Sequence, residues 1–235
     1  MLFISIFLIL KFYLKMQHFV VQVANEHHLH YAETICNEME SSAKARGTGI
    51  AKRTPEYIRL KMLEGKAVIA ISKNGGWAGF CYIETWSHGN YVANSGLIVS
   101  PEFRKSGLAT EIKKKIFYLS KTKYPNAKIF GLTTGLAVMK INSDLGYEPV
   151  TYSELTQDEA FWKGCQSCVN FEILKSKDRK NCLCTAMLYN PAEKNKPRWF
   201  DFVSKQKVME RLLRIKQTNF LKKLKLKKEE PINTL

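Results

Sequence analysis

The stretch from Asn94 to Lys115, NSGLIVSPEFRKSGLATEIKKK, constrains the fold most, because its hydrophobic period changes half-way along. Gly96-Leu97-Ile98-Val99 is a short apolar run of strand type. Pro101 stops it, since proline cannot donate to a ladder. From Ser106-Gly107 onward, Leu108, Ile112, Ile116 and Leu119 recur at spacings of three and four, the period of a helix face. A strand that feeds a small-residue turn and then a helix presents free backbone N–H groups. Together with the positive helix end they form an anion site suited to phosphate. Gly107 lets the backbone approach closely, and Arg104 and Lys105 add full charge. The alternative is an ordinary strand-to-helix turn with solvated basic residues.

The pattern Val99-x-Pro101-x-Phe103-Arg104-x-x-Gly107-x-Ala109 resembles the acyl-coenzyme A signature of the GNAT N-acetyltransferases. The resemblance implies that the amides of Arg104, Lys105, Ser106, Gly107, Leu108 and Ala109 hold the coenzyme pyrophosphate. It also implies that Leu97, Ile98 and Val99 lie on the strand beside the pantetheine arm. Downstream, Lys128 to Thr133 reads as the next strand, and Asp144-Leu145-Gly146-Tyr147 is similar to the family's leucine-glycine-aromatic corner. The match covers Met16 to Val150. It implies an α/β (α+β) fold with a mixed central sheet splayed at the coenzyme strand and helices on both faces.

The rest of the chain fits that frame. Phe19 to Val23 reads as a strand, and Asn25 caps a helix from Glu26 to Ala45. His27, His28 and His30 on its first turn read as exposed or capping residues. Thr54 caps a second helix from Pro55 to Glu64. The linker between the helices, where the resembled family builds its acceptor pocket, carries Arg46, Lys52 and Arg53. Arginine holds carboxylate through two parallel bonds, so the expected acceptor is an anionic amino acid. A solvated basic loop is the competing reading. Lys66 to Ser72, Trp77 to Trp86 and Tyr91 to Val99 read as three antiparallel strands joined at Asn74-Gly75-Gly76 and Gly89-Asn90.

Acyl transfer from a thioester to an amine needs a polarised carbonyl, a deprotonated ammonium and a protonated leaving thiolate. A backbone N–H near Leu97 is the expected oxyanion donor. Glu84 and His88 are the candidate bases, Glu84 preferred as a partly buried carboxylate. Many members of the resembled family carry Tyr four residues before the corner glycine. This chain carries Asn142 there, which leaves the general acid unassigned.

Cys165-x-x-Cys168 and Cys182-x-Cys184 form a further constellation. A Cys-x-x-Cys turn directs two thiolates at one point, and two cysteines two apart on a strand share a face. Four thiolates so placed suit a structural zinc, with buried free thiols or a redox pair as alternatives. The cysteine clustering fits a reducing, cytoplasmic setting better than a secreted disulfide framework.

Net charge is +16 over 235 residues, which points to anionic partners. Much of it is local: Lys205 to Lys228 holds ten Lys and Arg against one Glu. The chain divides into four segments: an apolar extension over 1–15, a transferase domain over 16–150, a Cys-rich extension over 151–192, and a basic amphipathic tail over 193–235. Residues 1–15 are too short to span a bilayer, which takes about 20 residues. They read as upstream of a natural start at Met16, with a weak membrane anchor as the rival. The tail could touch nucleic acid or acidic lipid, but such a tail is more often a solvated appendage.

The RGTGIAKR linker, the coenzyme loop, GLTTGLAVMKINSDLGY and FWKGCQSC together resemble a bacterial subgroup of these transferases associated with arginine biosynthesis. That resemblance implies acetyl or succinyl transfer from coenzyme A to glutamate. The competing readings are acylation of a protein or another amine, and a zinc-stabilised nucleic-acid-binding module.

Overall fold

The computed structural model describes residues 19–45, 47 and 52–194. The apolar 1–15 segment, Arg46 and nearly all of the basic tail lie outside the described residues. One compact unit ends at Pro191 and holds every strand found among the described residues.

Seven strands form one mixed sheet. They are β1 (Phe19–Val23), β2 (Ala67–Ser72), β3 (Trp77–Trp86), β4 (Tyr91–Val99), β5 (Lys128–Thr133), β6 (Glu148–Val150) and β7 (Thr185–Tyr189), in the order β1-β2-β3-β4-β5-β7-β6. Strands β1 to β4 are an antiparallel meander, and β4 pairs with β5 in parallel. Helices α1 (Ala32–Ala45) and α2 (Pro55–Leu63) cover one face. Helices α3 (Leu108–Lys123) and α4 (Leu136–Asp144) cover the other. This two-layered burial explains the continuous apolar run of β3, whose first eight residues are all buried.

The caps follow the sequence. Asn25 Oδ1 accepts from the His27 N–H, and the Asn25 N–H donates to His28 Nδ1 at 3.1 Å. His28 is a buried capping residue, and the turn from Glu26 to Tyr31 is a 3-10 helix ahead of α1. Thr54 Oγ1 accepts from the Tyr57 N–H and starts α2.

Residues 151–192, expected as a Cys-rich extension packed on the transferase domain, contribute a strand to the sheet. Their strand β7 inserts between β5 and β6, pairing Ile129 with Tyr189 through Thr133 with Thr185. Two short helices, α5 (Glu159–Lys163) and α6 (Phe171–Ser176), precede β7. With them Tyr152, Leu155, Trp162 and Leu174 pack on Ala93, Phe130, Ala186 and Leu188. The sequence signal for β7 is weak because its partner β5 lies far upstream and no short turn joins them.

Two irregularities shape β4. It pairs with β5 only at Tyr91, Val92 and Ala93, so the strands part at Asn94 and leave a cleft between them. On its other edge, Phe80 faces Ile98 but Tyr82 faces Ser95, which makes a bulge at Gly96-Leu97. Gly96 has φ +64°, and a Cβ there would sit 2.5 Å from Tyr82 Cε1 and 2.8 Å from Met39 Cε. A Gly96→Ala variant should therefore lose on the order of 2–4 kcal/mol of stability, from left-handed strain and overpacking together. A denaturant midpoint equal to wild type would contradict this account of the bulge.

Candidate active site

The cleft between β4 and β5 opens toward the loop that starts α3. Two of the loop's residues have left-handed backbones, Lys105 at φ +62° and Gly107 at φ +92°. Ser106 Oγ donates to Phe103 O at 2.6 Å and accepts from the Leu108 N–H at 3.3 Å, which closes the turn. The N–H groups of Lys105, Ser106 and Gly107 find no acceptor among the described residues. Successive free amides in such a turn form a concave anion cradle at the helix start.

Arg104 behaves differently from the expectation that it adds charge to the cradle. Its Nη2 bonds Glu38 Oε1 at 2.7 Å and Ser42 Oγ at 2.6 Å, and its Nε bonds Val99 O at 3.2 Å. Glu38 neutralises the guanidinium and ties the loop to α1. Of the strand candidates, Ile98 and Val99 are buried in the cores on opposite faces, and Leu97 is half-buried.

On the α1–α2 face of the sheet, Glu84 meets Arg53. Tyr82 and Glu84 are two apart on β3 and so share a face. Tyr57 Oη donates to Glu84 Oε1 at 2.6 Å, and Arg53 Nε donates to Tyr82 Oη at 2.6 Å. Arg53 Nη2 stands 3.3 Å from Glu84 Oε1. Burial first, then the Glu84 charge, push both phenols well above the usual tyrosine range, so both stay protonated at neutral pH. A proposed base and a proposed substrate-binding residue, read separately from sequence, are thus one buried ion pair. Lys52 instead pairs with Glu40 at 3.5 Å on the exposed surface.

His88 is exposed in the β3–β4 turn, beyond Trp86 and outside this cluster. Asn142 is 1% exposed, and its Nδ2 approaches Met187 Sδ at 3.7 Å. Its Oδ1 has no partner among the described residues.

Among the described residues no group of three or more His, Cys, Asp or Glu is arranged to hold a metal ion, so the zinc expected at Cys165, Cys168, Cys182 and Cys184 finds no support. All four are free thiols. Burial pushes Cys165 up to about 11 and Cys184 up to about 12, which keeps both protonated at neutral pH. The two pairs meet through the Asn170 backbone, whose N–H donates to Cys168 Sγ and whose carbonyl accepts from Cys182 Sγ. The spacing suggests ligands because it gathers the pairs, and the fold holds all four as half-buried thiols.

Sequence reasoning missed a third cluster at the root of the cleft. Lys113, on α3, is 2% exposed. Its Nζ donates to Asn94 Oδ1 at 3.4 Å and lies 5.2 Å from the centre of the Tyr147 ring. Tyr147 Oη donates to the same oxygen at 3.0 Å, and Asn94 Nδ2 donates to Ser120 Oγ at 2.8 Å. The Lys113-Lys114-Lys115 run concealed Lys113; its place four residues after Ala109 and three before Ile116 on the inner stripe was the available signal.

No family model and no curated protein matches the sequence. Solved structures do match. The fold is that of the GNAT acetyltransferases. One match is N-acetylglutamate synthase from Neisseria gonorrhoeae, complexed with coenzyme A and N-acetyl-glutamate. It has TM-score 0.51 and 14% identity, over 73% of this chain and 35% of the synthase. The chain thus spans about a third of that enzyme's length. A Mycobacterium tuberculosis protein in complex with CoA gives TM-score 0.52 and 14% identity, over 73% of this chain and 98% of its own. A GNAT-superfamily phosphinothricin acetyltransferase from Sinorhizobium meliloti, with acetyl-CoA, gives TM-score 0.50 and 12% identity, over 74% and 88%. The splayed sheet expected from the resemblance is therefore the architecture of the chain. Among the described residues no helix is long and apolar enough to cross a membrane.

Proposed function

We propose that this chain is an acyl-coenzyme A-dependent N-acyltransferase. It moves an acetyl or succinyl group to the amino group of a small anionic amino acid, glutamate, as a cytoplasmic step of arginine biosynthesis. One observation carries the reading: the parting of β4 from β5 at Asn94 leads straight to the unpartnered amides of Lys105, Ser106 and Gly107. A strand edge for the pantetheine arm and an anion cradle for the diphosphate thus lie end to end. The synthase whose fold this chain shares was solved with coenzyme A and N-acetyl-glutamate, which supports the choice of acceptor.

In this reading the Lys105 to Ala109 amides hold the diphosphate, with Arg104 bracing the loop against α1. The β4 edge near Leu97 lies beside the thioester, and Glu84 takes the ammonium proton. Thiol release from acetyl- and succinyl-coenzyme A, screened against the twenty amino acids and a lysine peptide, tests it. Glutamate should give the highest rate. Binding of neither thioester would overturn the proposal, and faster turnover of the peptide would move it to protein acylation.

A further inference from the structure

The charged groups around Glu84 are joined unequally. Each is bonded to its own tyrosine at 2.6 Å, Arg53 to Tyr82 and Glu84 to Tyr57. Between them, Arg53 Nη2 stands 3.3 and 3.5 Å from the two carboxylate oxygens. A charge-assisted N–H···O bond closes to about 2.7–2.9 Å when nothing restrains it. The ion pair is therefore the slack joint of an otherwise tight cluster. Glu84 Oε2 takes part only in the 3.5 Å contact among the described residues. Arg53 keeps 19% of its side chain exposed, so the joint is reachable from outside.

Resting on the acyltransferase reading, we propose that this joint is the receptor for the zwitterion of a free α-amino acid. The ammonium sits on Glu84 Oε2 and the α-carboxylate on Arg53 Nη2. Each protein charge exchanges a long contact with its neighbour for a close one with the ligand, so the site stays charge-balanced and both tyrosine bonds survive. A ligand with only one of the two charges would leave the other protein group buried without a partner, which is the costly outcome. A lysine side chain or a peptide amine lacks the adjoining carboxylate and does not match.

The geometry then sets the chemistry. Tyr57 occupies Oε1 and so presents Oε2 to the acceptor. Glu84 Oε2 takes one proton from the ammonium. The freed nitrogen lone pair attacks the thioester carbonyl carbon, the new C–N bond forms, and the C–S bond breaks with its electrons going to sulfur. The nitrogen gives up a second proton. Of the two protons released, one ends on the thiol and the other passes to water. Arg53 determines specificity, Glu84 is the catalytic base, and Tyr57 is a positioning residue.

The test pairs each of the twenty amino acids with its α-carboxamide in the thiol-release assay, on wild type, Arg53→Met and Arg53→Lys. Coenzyme A affinity is measured in parallel by titration calorimetry. Wild type should prefer the free acid by at least about 100-fold in kcat/KM, as sites built around a polar group reject analogues lacking it. Arg53→Met should bind coenzyme A like wild type yet prefer the free acid by less than about fivefold. Arg53→Lys, which keeps the charge but loses the fork, should fall between. Equal turnover of acid and amide by wild type, or no turnover of any amino acid by protein that binds coenzyme A, would overturn the proposal. So would full discrimination in both variants. Failure of wild type to bind coenzyme A instead overturns the acyltransferase reading beneath it.

Discussion

Replacing Lys113 by Met should stabilise the protein by roughly 3 kcal/mol at pH 7. Lys113 is buried without a carboxylate partner among the described residues, and its single hydrogen bond, to Asn94 Oδ1, is long at 3.4 Å. Burial pushes its ammonium down from the usual 10.5 to about 8. Each unit of such a shift corresponds to about 1.4 kcal/mol. Proton binding sets the sign. Below pH 8 the amine is charged in both folded and unfolded chains, so the folded state carries the full burial penalty. Between pH 8 and 10.5 the unfolded chain binds more protons, so wild-type stability gains as pH rises. Methionine has no such penalty, and Asn94 Oδ1 keeps its bond from Tyr147. The advantage of Lys113→Met should be complete at pH 7 and gone by pH 10.5. The difference between the two proteins is the quantity to measure, because Cys81, raised to about 11, and Tyr147 titrate in the opposite sense in both. Urea melts at pH 7, 8.5 and 10 would show it. A variant less stable than wild type at pH 7 would mean that the Asn94 bond and the Tyr147 ring contact together outweigh the cost of burying the ammonium.

Gly107→Glu should lower affinity for coenzyme A by at least about 100-fold, and Gly107→Ala by less than about tenfold. Both variants strain a backbone at φ +92°, at roughly 1–2 kcal/mol each. Nothing lies within 4 Å of a Cβ at this position, so the Cβ added by either variant meets no neighbour. The glutamate differs by placing a carboxylate at the amide cradle, where it competes with and repels the diphosphate. Melting temperatures of the two should drop alike, which isolates the charge. Equal coenzyme affinity for the two variants would show that the diphosphate binds elsewhere.

The sequence allowed the sheet from β1 to β5, both flanking helix pairs and the position of the turn into α3 to be read, because each depends on local signals: Asn25 and Thr54 as caps, Pro101 as a stop, the change of period at Ser106. What it hid depends on contacts between distant residues. Arg104 looked like a phosphate arm because its partner Glu38 lies on another helix. Arg53 and Glu84 looked independent because a linker and a strand bring them together only in the fold. Lys113 was hidden in a run of three lysines, where only its spacing from Ala109 and Ile116 set it on the inner stripe. The cysteine spacing resembled that of a metal site, but whether four thiols converge depends on the fold, and among the described residues no group is arranged to hold a metal.

The placement of β7 bears on how the protein is made. The outer edge of β5 stays bare until Tyr189 emerges to lie against Ile129, so most of the unit must be synthesised before that sheet can close. Such distant pairing is slow to form and leaves an unpaired strand edge waiting meanwhile. A nascent chain stalled after Val150 would hold β1 to β6 with the outer edge of β5 still unpaired, and the sheet would close only once β7 had emerged.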